Sequence, residues 1–435
     1  MLTWSHFVPA FDTWLDNEFA PAWGNKNNVE VKIDHIGVAD VPAAIAAEIA
    51  AGQGHDIQEY IAPMPQHEPS VHDLGDLTQE AESKFGEQLA LCQSASFNPH
   101  TGKFFAFCHG FVIDPGDYRK SLWTLAGKPE GPRTWDDLLT FGARVFEDQG
   151  VPVGIGLSQE IDTGMATRAA LWSFDTGVQD ENSQVILNVG TFGRRTVAAV
   201  KLYAEIFQNA MTPEVFAWGA ASNNQALIGG RVSYILNSIS AYRSAQKSVP
   251  EIAKDVFFVP ALKGPRGTAR ASEHVIYNTI VPKYVPSAKL ELAKQFLLDV
   301  ETNYDQRMWF SELYDTFAFA GVSLPSGNRG YPAVAGAQTV QDLFDVWFDN
   351  DPFALPGEDP TKLRPLKTAL DWSVVVGYPG SSNPAIGEVF ATHVIPNMFA
   401  RVAQGRQTAE ESVAQTHAEV ETIFEKWRAQ GLVGG

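Results

Sequence analysis

The chain has 435 residues, of which 45% are hydrophobic, as in a globular protein with two or three domains. Its 51 acidic against 32 basic residues give a formal net charge of −19, which argues against nucleic acid and anionic membrane surfaces as partners. No apolar run approaches the roughly 18 residues that a membrane span requires. The first residues lack the pattern of a secretory leader, so we expect that an exported protein has already lost its leader.

The N-terminal region predicts strands that alternate with helices. A strand is expected over Leu2–His6, an apolar helix face over residues 11–19, and a second strand where apolar and charged residues alternate over 29–34. A helix over residues 40–52 and a third strand over residues 56–61 follow. This order predicts βαβ units and an α/β fold with a mostly parallel, doubly wound sheet flanked by helices.

Residues 196–240 predict an amphipathic helix, a loop that carries Trp218, a helix closed by Gly229 and Gly230, and a strand. We interpret this segment as ligand-binding, because no catalytic pattern accompanies it. Elsewhere, Thr134 and Thr408 are each followed three residues later by an acidic residue, which predicts the start of a helix at both positions. Val153–Leu157 is expected to be a short strand.

Known catalytic motifs are absent from the sequence. Gly154 and Gly156 lack the third glycine of a dinucleotide-binding turn, and there is no phosphate loop, nucleophile elbow or His-Glu-x-x-His motif. The histidines between residues 55 and 109 lack the spacing that would place two on one helix face, so no metal and no cofactor are expected. Cys92 and Cys108 exclude a four-cysteine zinc site but leave open either one disulfide or two buried thiols.

Several segments resemble the extracellular solute-binding proteins of ABC importers, the carbohydrate-binding family that includes maltose-binding protein. The matching segments are Leu2–Phe19, Val41–Tyr60, Gly131–Leu138, Thr196–Ser240, Ser272–Leu298 and Gly405–Phe424. Each motif is loose, but their number, order and spacing together cover essentially the whole chain.

The resemblance implies a two-lobed fold of type II, with a mostly parallel sheet in each lobe and the ligand in a cleft between the lobes. The N-terminal lobe is expected to comprise residues 1–113 and 270–324, and the C-terminal lobe residues 114–269 and 325–435. Crossings between lobes are expected near 111–115, 259–272 and 322–329, where Gly and Pro suit hinges. Lobe closure on the ligand would then signal the membrane permease.

Ligands of α/β sheets bind at the carboxyl ends of strands, so the loops after the predicted strands supply the candidate site. The candidate ligand-binding residues are Ser5, His6, Glu59, Tyr60, His109, Asp114, Trp172, Trp218, Asn237, Ser238, Arg329 and Trp372. Sugars require aromatic plates and polar groups at their edge. Trp218 is the expected plate, Asn237 and Ser238 the polar edge, and Glu59 a hydroxyl acceptor. The alternatives are a tryptophan that packs on the core and a glutamate at a helix cap or on the surface.

The resulting hypothesis is a substrate-binding subunit for carbohydrate uptake with no catalytic residue. We expect it to be monomeric, periplasmic or extracellular, and to partner a small solute and the ABC permease, with a lipid anchor left open. Two alternatives remain at this stage. One is a glycoside-acting enzyme that uses Glu59 and Asp114 as its carboxylate pair. The other is a binding protein for a peptide or polyamine, which the acidic composition would suit.

Overall fold

The structure, a computed structural model, describes residues 1–273, 275–321 and 337–435. The chain divides into two compact units. Unit 1 comprises Met1–Val112, Val275–Val346 and Ser381–Pro384, and unit 2 comprises Ile113–His274, Trp347–Gly380 and Ala385–Gly435. The chain therefore passes between the units several times, and each unit is assembled from distant segments.

Short strands supply the sheets of both units. In the described residues they are β1 (Leu2–Trp4), β2 (Asp34–Ile36), β3 (Gln58–Tyr60), β4 (Phe97–Asn98), β5 (Lys103–Phe104), β6 (Phe107–Val112), β7 (Gly116–Arg119), β8 (Tyr234–Leu236), β9 (Val256–Val259), β10 (Ala271–Ser272), β11 (Ile276–Ile280), β12 (Asp315–Phe317) and β13 (Ser373–Val374).

Helices make up the larger part of the regular structure. The α-helices are α1 (Pro9–Trp14), α2 (Ala20–Asn27), α3 (Val41–Ala51), α4 (Gly75–Phe85), α5 (Ala90–Ser96), α6 (Lys120–Leu125), α7 (Trp135–Gln149), α8 (Ile161–Ser173), α9 (Gly190–Ala210), α10 (Ser222–Ile228), α11 (Ser240–Ser248), α12 (Pro250–Asp255), α13 (Ser287–Thr302), α14 (Tyr304–Phe310), α15 (Val340–Trp347), α16 (Ala369–Trp372), α17 (Pro384–Ala391), α18 (Val394–Ala403) and α19 (Ala409–Arg428). A π-helical turn over Leu15–Phe19 joins α1 to α2, and 3₁₀ turns span Pro65–Ser70, Pro213–Ala217 and Arg364–Thr368.

Unit 1 contains a six-stranded sheet in the order β12-β6-β11-β3-β1-β2. The βαβ units at the N-terminus make β1 parallel to β2 and β3, as the sequence predicts. The later strands β11 and β12 enter antiparallel to their neighbours β3 and β6. The α/β class is confirmed, and the sheet is mixed where the sequence predicted mostly parallel strands, because distant chain segments supply its second half.

Unit 2 contains a three-stranded antiparallel sheet in the order β8-β7-β9 and a short parallel pair of β10 and β13. The predicted parallel arrangement is therefore wrong for this sheet. Its central strand β7 follows the first predicted crossing directly. In this strand Gly116 pairs with Leu236 on one side and with Val259 on the other. Helices α7, α8, α9 and α18 pack together in the same unit.

Two predicted strands differ in the structure. The strand predicted over residues 29–34 is displaced, because β2 begins only at Asp34, which lies opposite Leu2. Residues 153–157 contribute a single bridge, between Val153 and Tyr234. The apolar face predicted over residues 11–19 is confirmed, with Phe11 and Trp14 buried.

Both predicted helix starts are confirmed. The Thr134 side chain accepts a hydrogen bond from the Asp137 backbone N–H at the start of α7. At the start of α19, the Thr408 side chain accepts from the Glu411 N–H, and the Glu411 carboxylate accepts from the Thr408 N–H. These reciprocal bonds satisfy two donors that the first helical turn leaves without a partner.

We expect the Thr408→Ala substitution to lower the free energy of unfolding by about 1 kcal/mol, because it removes the oxygen that caps α19. Thr422→Ala is the matched control on the same helix, since that exposed hydroxyl bonds only to the Ala418 carbonyl within the helix. Urea unfolding followed by circular dichroism measures both. Equal effects of the two substitutions would contradict a capping role for Thr408.

Candidate functional site

A cluster of buried polar side chains lies at the end of β8 in unit 2. The Asp162 carboxylate at the start of α8 accepts a hydrogen bond from Asn223 Nδ2 at 2.7 Å and from Asn237 Nδ2 at 3.5 Å. Asn237 also donates to the Asn224 side-chain oxygen, and Asn224 Nδ2 donates to Ser240 Oγ at 3.0 Å. Amide, hydroxyl and carboxylate groups therefore lie together at the end of β8. These groups provide the donors and acceptors that carbohydrate hydroxyls require.

Ser238 is part of the same cluster. Its backbone N–H bonds to Asn237 Oδ1 at 2.6 Å, and its hydroxyl lies 3.1 Å from Ser240 Oγ. The structure thus brings together the two residues that the sequence assigned to the polar edge. Three elements supply the cluster, since Asp162 begins α8, Asn223 and Asn224 lie in α10, and the others follow β8.

Trp218 lies next to this cluster in the chain, directly after the 3₁₀ turn Pro213–Ala217. Its carbonyl accepts a hydrogen bond from Ser158 Oγ at 2.6 Å, and the Gly219 N–H bonds to Ser222 Oγ at 2.9 Å. These bonds tie the loop to the start of α10. The Trp218 side chain is partly exposed, and within the described residues its ring stacks on no other aromatic ring and its indole N–H has no acceptor. A ring held in this way has a face that a solute can cover.

Three further candidate residues of unit 2 are buried. Asp114 lies beside Glu273, whose pKa is raised well above its ordinary value by burial and by the negative charge of Asp114. Trp172 packs edge-on against Tyr378 with their ring centres 5.8 Å apart. Trp372 donates its indole N–H to Thr368 Oγ1 at 3.1 Å.

In unit 1, Glu59, His109 and His6 belong to a buried network around Arg307. The Arg307 guanidinium donates to His109 Nδ1 at 3.4 Å, so Nε2 carries the ring hydrogen and donates to Glu59 Oε2 at 2.6 Å. The second Glu59 oxygen accepts from the Thr3 hydroxyl at 2.9 Å. All these side chains are nearly inaccessible, so their visible partners are one another.

The other half of the network surrounds Asp315. Arg307 Nε donates to Asp315 Oδ2 at 2.8 Å, and the Tyr277 hydroxyl and His6 Nε2 both bond to Oδ1. His6 Nδ1 lies 3.0 Å from the Val8 backbone nitrogen and 3.1 Å from the Val8 carbonyl oxygen. The guanidinium also lies over the Tyr277 ring, 4.1 Å from its centre. One arginine thus pairs with two carboxylates of the sheet.

Burial would raise the pKa of Glu59 and of Asp315, but the charge of Arg307 and the bonds from the histidines outweigh it and lower each pKa to about 2. The pKa of His109 is lowered by burial and by the positive charge of Arg307. Both carboxylates are therefore ionised, and His109 is neutral, at neutral pH.

The network predicts loss of stability in acid. The unfolded chain binds protons on His109 below about pH 6.5 and on Glu59 below about pH 4.5, whereas the folded chain binds them only at lower pH. The free energy of unfolding should therefore fall as the pH is lowered from 7, first through the histidine and then through the carboxylates.

Urea unfolding at pH 7.5, 6.5 and 5.5 measures the histidine part. His109→Gln should flatten the decrease between pH 6.5 and 5.5, because glutamine does not titrate. His100→Gln is the control, since His100 is exposed in a turn. A wild-type unfolding free energy that does not change between pH 7.5 and 5.5 would contradict this account.

The remaining candidate residues are placed as follows. Ser5 is exposed after β1, and its N–H bonds to the Ile36 carbonyl at 2.8 Å. Tyr60 is partly buried at the end of β3, where burial raises the pKa of its hydroxyl to about 12. Arg329 and the predicted crossing over residues 322–329 lie outside the described residues.

Cys92 and Cys108 are not joined by a disulfide, and both thiols are buried. Among the described residues, no group of three His, Cys, Asp or Glu side chains is arranged to hold a metal ion. No helix in the described part of the chain is long and apolar enough to cross a membrane.

Sequence reasoning missed Asp162, Asn223 and Asn224 in the polar cluster, and Arg307 and Asp315 in the buried network. Asn223 and Asn224 lie at the start of a helix and follow no predicted strand, whereas Asp162 begins the helix after the strand predicted over Val153–Leu157 and was overlooked. The Glu160 side chain, which accepts from the Asp162 and Thr163 N–H groups, was a recognisable helix cap that could have directed attention to this loop. No local signal marks Arg307 and Asp315, because their partners lie far away in the sequence.

Three solved structures share the fold over nearly the whole chain. A maltose-bound protein of T. maritima is 18% identical, and the match covers 94% of this chain and 96% of that chain with a TM-score of 0.71. A sugar transporter of Arthrobacter chlorophenolicus A6 with bound laminaribiose is 15% identical, with 97% and 98% of the two chains covered and a TM-score of 0.71. The GacH receptor of Streptomyces glaucescens GLA.O, solved unliganded and with acarbose, is 18% identical, with 97% of each chain covered and a TM-score of 0.71. At these identities the similarity shows the fold alone, which is the two-lobed α/β fold of solute-binding receptors.

A protein of Brucella abortus (strain 2308), whose name suggests a binding role and gives no ligand, is 27% identical over 165 residues. That match covers 37% of this chain and 38% of the relative, so the chain matches well under half the length of its curated relatives. The sequence pattern of bacterial extracellular solute-binding proteins matches residues 9–297, and the chain belongs to this family. Members of this family bind solutes, and the family is extracellular or periplasmic.

Proposed function

We propose that the protein is the substrate-binding component of an ABC transporter, and that it captures a sugar and delivers it to the permease. The observation that carries the proposal is that unit 2 holds both an uncovered Trp218 ring, on a loop that Gly219 and Ser222 tie to the start of α10, and the polar cluster of Asp162, Asn224, Asn237 and Ser238. A sugar ring presents C–H groups that pack on an aromatic face and hydroxyls that need both donors and acceptors at the edge. The cluster offers both kinds of group, because it combines amides and hydroxyls with one carboxylate.

The similar structures support this choice of solute. One is maltose-bound, one holds laminaribiose and one was solved with acarbose, so the shared fold accommodates more than one saccharide. We propose that the two lobes correspond to the two compact units, which differ from the limits expected from the sequence mainly because residues 337–346 belong to unit 1. We also propose that the protein acts as a monomer without catalytic activity.

The buried network argues against the glycoside-acting alternative. A general acid needs a carboxyl whose pKa is raised so that it holds a proton at neutral pH. Glu59 has the opposite property, since its pKa is lowered to about 2. It also accepts hydrogen bonds from Thr3 and His109, so its oxygens are already engaged. We therefore propose a binding function and not hydrolysis.

A thermal-unfolding screen against mono- and oligosaccharides tests the proposal. A ligand that binds only the folded state raises the unfolding temperature, by an amount that grows with its concentration above the dissociation constant. We expect at least one neutral saccharide to do so, and chromatography of the same mixture after prolonged incubation should recover it unchanged. Cleavage of the saccharide would favour the enzyme alternative, and the absence of any shift across the panel would contradict carbohydrate binding.

A further inference from the structure

Arg168 is a buried cation without a carboxylate partner. It lies on α8 in unit 2 and is 4% exposed, and no Asp or Glu oxygen of the described residues forms an ion pair with it. Its one hydrogen bond in the described structure is from Nε to Ser272 Oγ, at the long distance of 3.4 Å. Residues 274 and 322–336, outside the described part, contain no acidic residue. The missing partner is therefore not an unseen carboxylate of this chain.

Two other buried arginines differ from Arg168, because each has a carboxylate partner. Arg243 is 1% exposed and bonds to both oxygens of Asp351, at 2.8 and 2.9 Å. Arg307 holds Asp315 and lies near Glu59. By contrast, burial with no opposing charge lowers the pKa of Arg168 to about 9. A buried charge normally requires a partner of opposite charge, because its desolvation is otherwise not compensated.

The surroundings of Arg168 include a small cavity of about 10 Å³, room for one water-sized particle. Trp172, Tyr378 and Phe390 are among the side chains that line it. The guanidinium lies over the Phe390 ring at 4.8 Å. Gly164 lies close to the guanidinium, since a Cβ at that position would be 3.2 Å from Nη2.

Arg168 and Trp172 bring hydrogen-bond donors to this cavity, whose other walls are mostly apolar. Four of the five guanidinium N–H groups have no acceptor among the described residues, and the Trp172 indole N–H has none either. His393 lies close enough for the positive charge of Arg168 to lower its pKa further, after the larger effect of burial. A water molecule would satisfy one or two donors but would leave the charge uncompensated.

We infer that Arg168 and Trp172 form a binding position for a small monovalent anion of halide size in unit 2. The anion would accept N–H bonds from both side chains and neutralise the buried guanidinium, while the aromatic walls exclude larger or divalent anions. Its size follows from the cavity, which has no room for a phosphate or sulfate. This site is separate from the cluster at Asn237 and does not depend on the proposed sugar.

The test compares unfolding temperatures of the full chain in sodium chloride and in sodium methanesulfonate at equal ionic strength. Chloride should raise the unfolding temperature by about 1 to 3 °C more than the larger anion, in a saturable way. Arg168→Met should abolish the difference, and Arg144→Met should keep it, since Arg144 is exposed and bonds only to the Ala126 carbonyl.

Trp172→Phe is the second variant, for use if Arg168→Met does not fold. It keeps an aromatic ring but removes the indole N–H, so it should weaken the saturable response to chloride at least severalfold. A crystal grown in bromide should then show an anomalous peak beside the guanidinium. Equal unfolding temperatures in the two salts would overturn the proposal. So would a chloride response that both Arg168→Met and Trp172→Phe leave intact, or a bromide crystal that shows a water and no bromide beside the guanidinium.

Discussion

Replacing Arg307 with Met should lower the free energy of unfolding by about 3 to 5 kcal/mol, because it leaves Glu59 and Asp315 as buried carboxylates without a cation. Both carboxylates are almost fully buried, and Arg307 Nε lies 2.8 Å from Asp315 Oδ2. His109 cannot replace the arginine, since burial lowers its pKa and its ring is already bonded to Glu59. Urea unfolding followed by circular dichroism at pH 7.5 gives the magnitude.

Arg364→Met is the matched control for this substitution. Arg364 also pairs with a carboxylate, Asp349 Oδ1 at 2.9 Å, but its side chain is 56% exposed, so the loss should stay below about 1 kcal/mol. A second effect separates charge from packing. In Arg307→Met, the pKa of both carboxyls should rise, so the loss of stability should shrink as the pH is lowered from 7.5 toward 5. An effect of Arg307→Met no larger than that of the control would refute the network as a source of stability.

Replacing Trp218 with Ala should weaken binding of the best saccharide of the screen at least about tenfold, because truncation of a stacked tryptophan commonly costs more than 1.4 kcal/mol at a binding site. Trp218→Phe keeps an aromatic face and should lose less. The fold should not change, since the visible contacts of this residue are made by its backbone carbonyl and not by its ring. Calorimetric titration of each variant measures the dissociation constant.

The control for Trp218 is Phe192→Ala. Phe192 is an aromatic residue of α9 with 38% of its surface exposed, and it has no proposed role in binding. Its replacement should leave the dissociation constant within twofold of that of the wild type. If Trp218→Ala binds as tightly as the wild type, the tryptophan packs on the protein and the stacking role is wrong.

Local features of the fold could be predicted from the sequence because their causes lie within a few residues. The caps at Thr134 and Thr408 each involve a side chain and a backbone N–H three positions apart. The apolar face of Phe11 and Trp14 follows from helical periodicity alone. The alternation over residues 29–34 predicted a strand, but of these residues only Asp34 pairs with β1.

The direction of the later strands could not be predicted, because it depends on where distant segments enter the sheet. β11 and β12 join the sheet antiparallel after the chain has passed through unit 2. The same limit applies to the buried network, in which His6 and Asp315 meet across 309 positions. Strand-end reasoning did find Glu59, His109 and Asn237, since it needs only the strand limits. It could not show that the first two are engaged by an arginine that follows no strand.

Calorimetric titration of the purified protein with neutral saccharides, at low and at high salt, tests the central claim most directly. The account predicts one saccharide bound with one-to-one stoichiometry and nearly the same dissociation constant in 20 mM as in roughly 500 mM salt, since neutral ligands feel little screening. Binding by a peptide or polyamine that weakens strongly with salt, together with no heat from any saccharide, would contradict it.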